Sequence, residues 1–211
     1  MNSNPTLIVV ADMTPPSAEG GTALSILAQT LRVGLEAELP MVLVAPTDAA
    51  EFARAILPGN AIIELVDGQD GPSHKQDTLA KAVAAGVLAS PHARGWLIWP
   101  GDMCDVMPDT LKKVASGVGR YPMVFPQYRQ QRGHPVGLSS EFFSELIRLE
   151  SGRDLGRLMT RYPALGIDVE DPAIIEHLPR VAPLEQLRSR LAGVPSPQEF
   201  EGRYASALST I

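Results

Sequence analysis

Four short apolar runs rich in β-branched residues recur within the first hundred positions, and nothing else in the chain restricts its fold as strongly. They are Thr6–Val10 (TLIVV), Met41–Ala45 (MVLVA), Ala61–Val66 (AIIELV) and Trp96–Trp99 (WLIW). Runs this short and this uniformly apolar read as strands buried on both faces. Helical patterns separate them. Thr22–Ala37 carries Leu24, Leu27, Leu31 and Leu35 at three- or four-residue spacing. Asp48–Leu57 opens on a Thr47/Asp48 cap signal, and Lys75–Ala89 carries Leu79, Val83, Ala84 and Val87. Strands alternating with helices of this length call for right-handed βαβ crossovers. The expected class is therefore α/β: three layers, a mostly parallel sheet with helices on both faces, one domain. In such a sheet ligands sit beyond the carboxyl ends of the strands. That rule singles out the loop Ala11–Gly21 after the first strand and the segment Pro100–Pro108 after the fourth.

The second half is less regular. Met123–Tyr128 (MVFPQY) contains Pro126, which predicts an edge strand or one interrupted at the proline, with Val136–Ser139 able to pair with it. Helices are expected over Ser140–Leu149 and Asp154–Tyr162, and a last strand over Ala164–Val169. Beyond Pro172, prolines 179, 183, 195 and 197 punctuate short helices near Leu184–Leu191 and Gln198–Leu208. The domain is expected to span residues 1–191, with 192–211 as a C-terminal helical tail. Phe200, Tyr204 and Leu208 recur every four residues, so the tail's apolar stripe needs a surface to pack on. Its own domain, a second copy in a homodimer or another protein partner would serve.

Charge narrows the function classes. The chain has 18 basic and 24 acidic residues, a net −6, which argues against a nucleic-acid partner because phosphate neutralisation requires a basic face. The imbalance lies in residues 1–105, with five basic and twelve acidic side chains; the remainder holds thirteen and twelve. An anion-binding surface is thus expected in the second half, where Arg129, Arg132, Arg153, Arg157 and Arg161 fall close together, the last three along one helix face. A solvated charged face is the plainer alternative. One cysteine, Cys104, rules out an intramolecular disulfide and a multi-thiolate zinc site. No apolar run is long enough to span a membrane, and the start M-N-S-N-P-T has no basic n-region, so a cytoplasmic protein is expected.

Two segments carry chemistry. In W-L-I-W-P-G-D-M (Trp96–Met103) a buried strand breaks at Pro-Gly and delivers Asp102 to the sheet's carboxyl edge, where a carboxylate can hold a divalent metal against phosphate oxygens. An aspartate that only closes a turn is the other reading. Asp105 could add an oxygen from the same loop, and Cys104 reads as a small filler rather than a nucleophile. In Y-R-Q-Q-R-G-H-P-V-G (Tyr128–Gly137), Gly133 ahead of His134 and Pro135 suggests a sharp turn presenting donors to an anion, or else a plain hairpin.

The order βαβαβαβ, followed by W-L-I-W-P-G-D-M-x-x-V-M-P-x-x-L (Trp96–Leu111), V-F-P-Q-Y-R-Q-Q-R-G-H-P-V-G-L (Val124–Leu138) and G-R-D-L-G-R-L-M (Gly152–Met159), resembles the MobA/MocA-like nucleotidyltransferases over residues 6–191. The RGHP loop looks more like the cytidylyltransferase branch, which transfers CMP from CTP to molybdopterin, than the guanylyltransferase branch. The resemblance implies a nucleotide-diphospho-sugar-transferase-like fold and, in an active member, Mg²⁺ at Asp102 as the metal-binding and catalytic aspartate. It implies CTP or GTP over Ala11, Gly20, Gly21, Thr22 and Ser73. A molybdopterin-like acceptor would lie near Arg129, Arg132, Gly133, His134 and Pro135.

The departures matter as much. Family members follow the first strand with L-A-A-G-x-S-x-R-M-G-x-x-K, whose amides, arginine and lysine hold the triphosphate. Here the stretch is V-V-A-D-M-T-P-P-S-A-E-G-G-T-A-L (Val9–Leu24), and the first basic side chain is Arg32. Asp12 and Glu19 instead bring negative charge to the place of a triphosphate, and like charges in a cleft repel. Gly20, Gly21 and Thr22 could still offer a small amide nest. The family's D-x-D-T-P-E-D-L, which supplies another metal-binding aspartate, aligns with Leu178–Leu187 without its aspartates. The stretch Gly68–Asp77 keeps Ser73 but not the usual base-selecting pattern, and Lys75 is a candidate replacement cation. Two readings follow. One is a nucleotidyltransferase-like protein related to the molybdenum cofactor cytidylyltransferases and degenerate at the triphosphate loop. The other is a non-catalytic binding or partner protein in cofactor assembly that retains the fold; a bare scaffold is a third.

Overall fold

A computed structural model describes residues 4–11, 20–65 and 75–175. The chain runs β1 (Thr6–Val10), α1 (Gly20–Glu36), β2 (Met41–Ala45), α2 (Thr47–Ala53), β3 (Ile62–Glu64), α3 (Lys75–Ala89), β4 (Gly95–Pro100) and α4 (Pro108–Gly117). It continues through β5 (Met123–Tyr128), β6 (Gln131–Arg132), β7 (Val136–Ser139), α5 (Phe143–Leu146), α6 (Gly152–Arg161) and β8 (Ala164–Asp168), and reaches a 3₁₀ turn at Pro172–Ile174. The strands form one eight-stranded sheet in the order β3-β2-β1-β4-β7-β5-β6, with β8 on the far side of β5.

β1 pairs in parallel with both β2 and β4, and β2 with β3. β7 lies antiparallel between β4 and β5, so β5 runs in the same direction as β4, and β8 runs parallel to β5. The carboxyl ends of β1, β2, β3, β4, β5 and β8 therefore share one edge, and the start of β7 joins them there. This is the expected α/β architecture with helices on both faces.

Alternation along the strands divides the core into two layers. Leu7, Val9, Leu43, Leu97 and Trp99 pack with residues of α1, α2 and α4 on one face, while Ile8, Val10, Val42, Trp96, Ile98 and Phe125 pack with α3, α5 and α6 on the other. A central strand so placed has no solvent face, which is why its sequence is continuously apolar. Helix α1 runs against the strands: a Cβ added at Gly34 would stand 3.1 Å from Leu7 near the amino edge, whereas Leu27 lies against Gly101 at the carboxyl edge. The start of α1 thus belongs to the carboxyl edge.

Several boundaries differ from expectation. The second helix takes Pro46 as its N-cap with no side-chain capping bond, because Thr47 donates its hydroxyl to Glu64 at 2.6 Å instead. The helix expected over Ser140–Leu149 is a 3₁₀ turn at Ser140–Phe142 followed by the single turn of α5. Helix α6 starts two residues early, at Gly152, on a capping box between Ser151 and Asp154. That hydroxyl holds the Asp154 carboxyl below the usual carboxylate range. Helix α4 was not expected; its signal is Pro108 in the first turn, Asp109 beside it, and Leu111 and Val114 on the buried side.

Pro126 does not make β5 an edge strand. Its carbonyl accepts from Gly133 N at 3.0 Å, so its missing N–H faces the β6–β7 side. There the register changes: Gln127 pairs with Arg132, but Val124 pairs with Gly137, which leaves two extra residues in the partner chain. A proline is tolerated where the ladder is already interrupted.

Candidate functional site

The strand registers bring three sequence segments together at the carboxyl edge. Val10 is level with Pro100, and Gly101 N donates to Val10 O at 2.8 Å. A Cβ at Gly101 would stand 3.1 Å from Ala11 Cα and from Leu27 Cδ1, so glycine permits β4's exit to pass directly over the end of β1. Asp102 follows at once, half-buried, with both carboxylate oxygens shielded from solvent. On the other side of β4, Ile98 pairs with Val136, so the chain that enters β7 after Pro135 does so at this same edge. Ala11, Asp102 and the His134 segment therefore reach one sheet edge from three strands, although they lie far apart in sequence.

The RGHP segment is built differently from the sharp turn at Gly133 that the sequence suggested. The reversal occurs three to four residues earlier, in a two-residue hairpin turn with Arg129 at φ 47° and Gln130 at φ 65°. Positive φ at both central residues is the primed geometry that matches strand twist, normally supplied by Asn-Gly. Gly133 serves close packing instead: a Cβ there would sit 2.2 Å from the carbonyl oxygen of Ile174. His134 N donates to that same oxygen at 3.0 Å, the His134–Pro135 peptide is cis, and the His134 side chain is 1% exposed. Arg132 lays its guanidinium over the Phe125 ring at 4.3 Å, and Arg129 lies over Tyr128 at 5.0 Å. Such stacking fixes a guanidinium's plane.

Metal chemistry at this edge is limited by the donor set. Among the described residues no three His, Cys, Asp or Glu side chains gather as a metal cage. Asp102, with exposed Asp105 three residues on, offers hard oxygen donors only. That suits an ion such as Mg²⁺, which takes one or two carboxylates and completes its shell with water and phosphate oxygens. The Cys104 thiol between them is pushed up from its ordinary value, first by burial and then by the charge and hydrogen bond of Asp105. A raised thiol pKa opposes thiolate formation, in keeping with a filler role.

Gly20 and Gly21 open α1 at this edge, and no acidic residue stands in its first turn, so the helix's positive end faces the site. The side chains of Thr22 and Lys75, and all of Asp12, Glu19 and Ser73, lie outside the described residues, as do Leu178–Leu187 and the terminal tail. Within them, D-V-E-D-P (Asp168–Pro172) fits the D-x-D-T-P pattern better than Leu178–Leu187 does, with Glu170 in place of the second aspartate, and it leaves β8 at the same edge. Asp168 and Glu170 are both exposed, and β8 is three strands from β4, about 14 Å at the usual interstrand spacing. The sheet therefore does not set them beside Asp102. Arg153, Arg157 and Arg161 line the outer face of α6, away from this cluster; Arg157 makes a 3.8 Å pair with Asp154 and Arg161 lies over Tyr162. No described helix is long and apolar enough to cross a membrane.

A family model, that of the MobA-like NTP transferase domain, matches residues 25–165. No curated protein sequence matches the chain. Among solved structures, Rv0371c from Mycobacterium tuberculosis H37Rv in complex with manganese aligns at 22% identity over 88% of this chain and 98% of that one, with a TM-score of 0.61. A nucleotidyl transferase from Methanothermobacter aligns at 17% identity over 89% and 97%, TM-score 0.59. CMP:2-keto-3-deoxy-manno-octonic acid synthetase complexed with CTP aligns at 11% identity over 89% and 98%, TM-score 0.58. At these identities the likeness is one of fold.

Proposed function

This chain belongs to the MobA-like NTP transferase domain family, and from that premise we propose that it is a nucleotidyltransferase-type protein of the cytidylyl branch, weakened at its triphosphate loop. The observation that carries the reading is the meeting of Ala11, Asp102 and the Gly133–His134 segment at one sheet edge. The reaction is attack by a phosphate oxygen of a molybdopterin-like acceptor on the α-phosphorus of CTP. The α–β phosphoanhydride bond breaks, CMP joins the acceptor and pyrophosphate leaves. A divalent cation, when bound, screens the phosphate charge that develops in this displacement. Asp102 would hold it, and Asp105 would offer a further oxygen from the same loop. The amides at the start of α1 would face the phosphates, and Arg129 and Arg132 would orient the acceptor's anionic groups. A chain that lacks Lys and Arg before Arg32 holds the triphosphate without the family's paired cations, so weak nucleotide binding belongs to this reading.

That same lack of cations favours a second reading, a non-catalytic binding or partner protein in cofactor assembly. Incubating the purified chain with CTP, Mg²⁺ and molybdopterin and following pyrophosphate decides between them. Release dependent on both acceptor and metal supports transfer; none at millimolar CTP, with the acceptor still bound, supports the partner role.

A further inference from the structure

We infer that Asp171 is a positioning residue for this site: its buried carboxylate ties the loop that carries Asp102 to the turn that carries His134. The functional meaning of the tie rests on the reading proposed above; its geometry does not. Asp171 is 2% exposed. Its Oδ2 accepts from Met107 N at 2.9 Å and from Thr110 Oγ1 at 2.7 Å, and its Oδ1 accepts from Ala173 N at 3.1 Å. Met107 closes the segment that starts at Gly101 and Asp102, and it is the residue from which α4 begins. Ala173 lies in the 3₁₀ turn Pro172–Ile174, and Ile174 O in turn accepts from His134 N. Gly133 is packed so closely on that carbonyl that no Cβ fits between them.

The path from the Asp102 loop to His134 thus runs through backbone groups and one side chain. Asp171 lies 64 residues from Met107 in sequence, so no local turn can substitute for the contact. A helix cap alone needs one acceptor, which Ser, Thr or Asn supplies equally well. Accepting from α4 with one oxygen and from the 3₁₀ turn with the other requires a carboxylate. Three charge-assisted bonds, those to Thr110 and Ala173 fully buried, make this a stiff link.

Amide hydrogen exchange on the full chain tests the tie without any ligand, comparing Asp171→Ala, Asp171→Asn and Thr110→Val with the natural chain. Removing the carboxylate is expected to speed exchange about ten- to a hundredfold in both 101–111 and 131–136. Segments 75–89 and 152–161, on the opposite face of the sheet, should hold their rates. Asp171→Asn keeps one oxygen and should loosen one of the two segments. Thr110→Val leaves the Met107 bond in place and should loosen neither. Where Asp171→Ala does not fold, Asp171→Asn carries the comparison: loosening of one of the two segments alone supports the tie, and no change in either, or equal change in all four segments, overturns it. In Asp171→Ala, acceleration confined to 101–111, or equal in all four segments, overturns the inference, since the first is a local cap and the second a global loss. In a parallel titration with CTP and Mg²⁺, a tenfold or greater loss of affinity in Asp171→Ala, with Thr110→Val within twofold, supports positioning, and an unchanged affinity overturns it. Absence of CTP binding by the natural chain counts against the proposed function and leaves the exchange pattern to decide the tie.

Discussion

Gly133→Ala probes the packing that holds the His134 segment in place. The new Cβ would stand 2.2 Å from Ile174 O, 2.6 Å from its carbonyl carbon and 2.9 Å from its Cβ, distances that real Cβ atoms essentially never show. The backbone of the 3₁₀ turn must retreat by about 1 Å to restore ordinary contact. That stretches the 3.0 Å bond from His134 N to Ile174 O beyond hydrogen-bond range. Overpacking costs about 1–3 kcal/mol and a buried donor left unpaired about 1–3 more, so a loss of roughly 3 kcal/mol is expected. In a chain of this size that lowers Tm by about 6–12 °C. Urea unfolding followed by circular dichroism measures it, with Gly59→Ala as the control because a Cβ there meets nothing within 4 Å. The control should stay within about 0.5 kcal/mol of the natural chain. If Gly133→Ala does the same, the close approach of Gly133 and Ile174 is wrong.

Two further outcomes follow from single residues. Gln130→Gly removes a side chain held at positive φ on an exposed turn and should raise stability by about 0.5–1 kcal/mol in the same urea assay, whereas a loss would contradict the primed turn. For Cys104, a pKa above the ordinary thiol value means less thiolate at pH 8 than a free cysteine has, so iodoacetamide should react more slowly there and gain rate as pH rises past the ordinary value. Fast alkylation at pH 7 would contradict the assigned environment.

The parallel half of the sheet was legible because β1, β2 and β4 are apolar on both faces and the helices between them show apolar stripes. The second half was not, for reasons particular to a few residues. Pro126 looks like an edge marker, yet it sits beside an interruption in the ladder that only the register of Gln127 and Val124 reveals. Arg129 and Gln130 form a turn that Asn-Gly would have announced, so the eye goes to Gly133, whose lack of a side chain serves packing. Asp102 could be singled out because a strand that stops at Pro-Gly must deliver its next side chain to the sheet edge. Asp171 could not, since its two sets of partners are fixed by tertiary packing and no pattern in D-V-E-D-P points to Met107 or Thr110.

The central claim is that Asp102 anchors a metal-dependent nucleotide site whose triphosphate loop has lost its cations. Calorimetric titration of the natural chain and of Asp102→Asn with CTP, each with and without Mg²⁺, tests it most directly. The account predicts binding in the natural chain that requires Mg²⁺, has a Kd of about hundreds of micromolar rather than micromolar, and weakens about tenfold or more in Asp102→Asn. Binding of equal strength without metal, binding indifferent to Asp102→Asn, or no heat at millimolar CTP would contradict it.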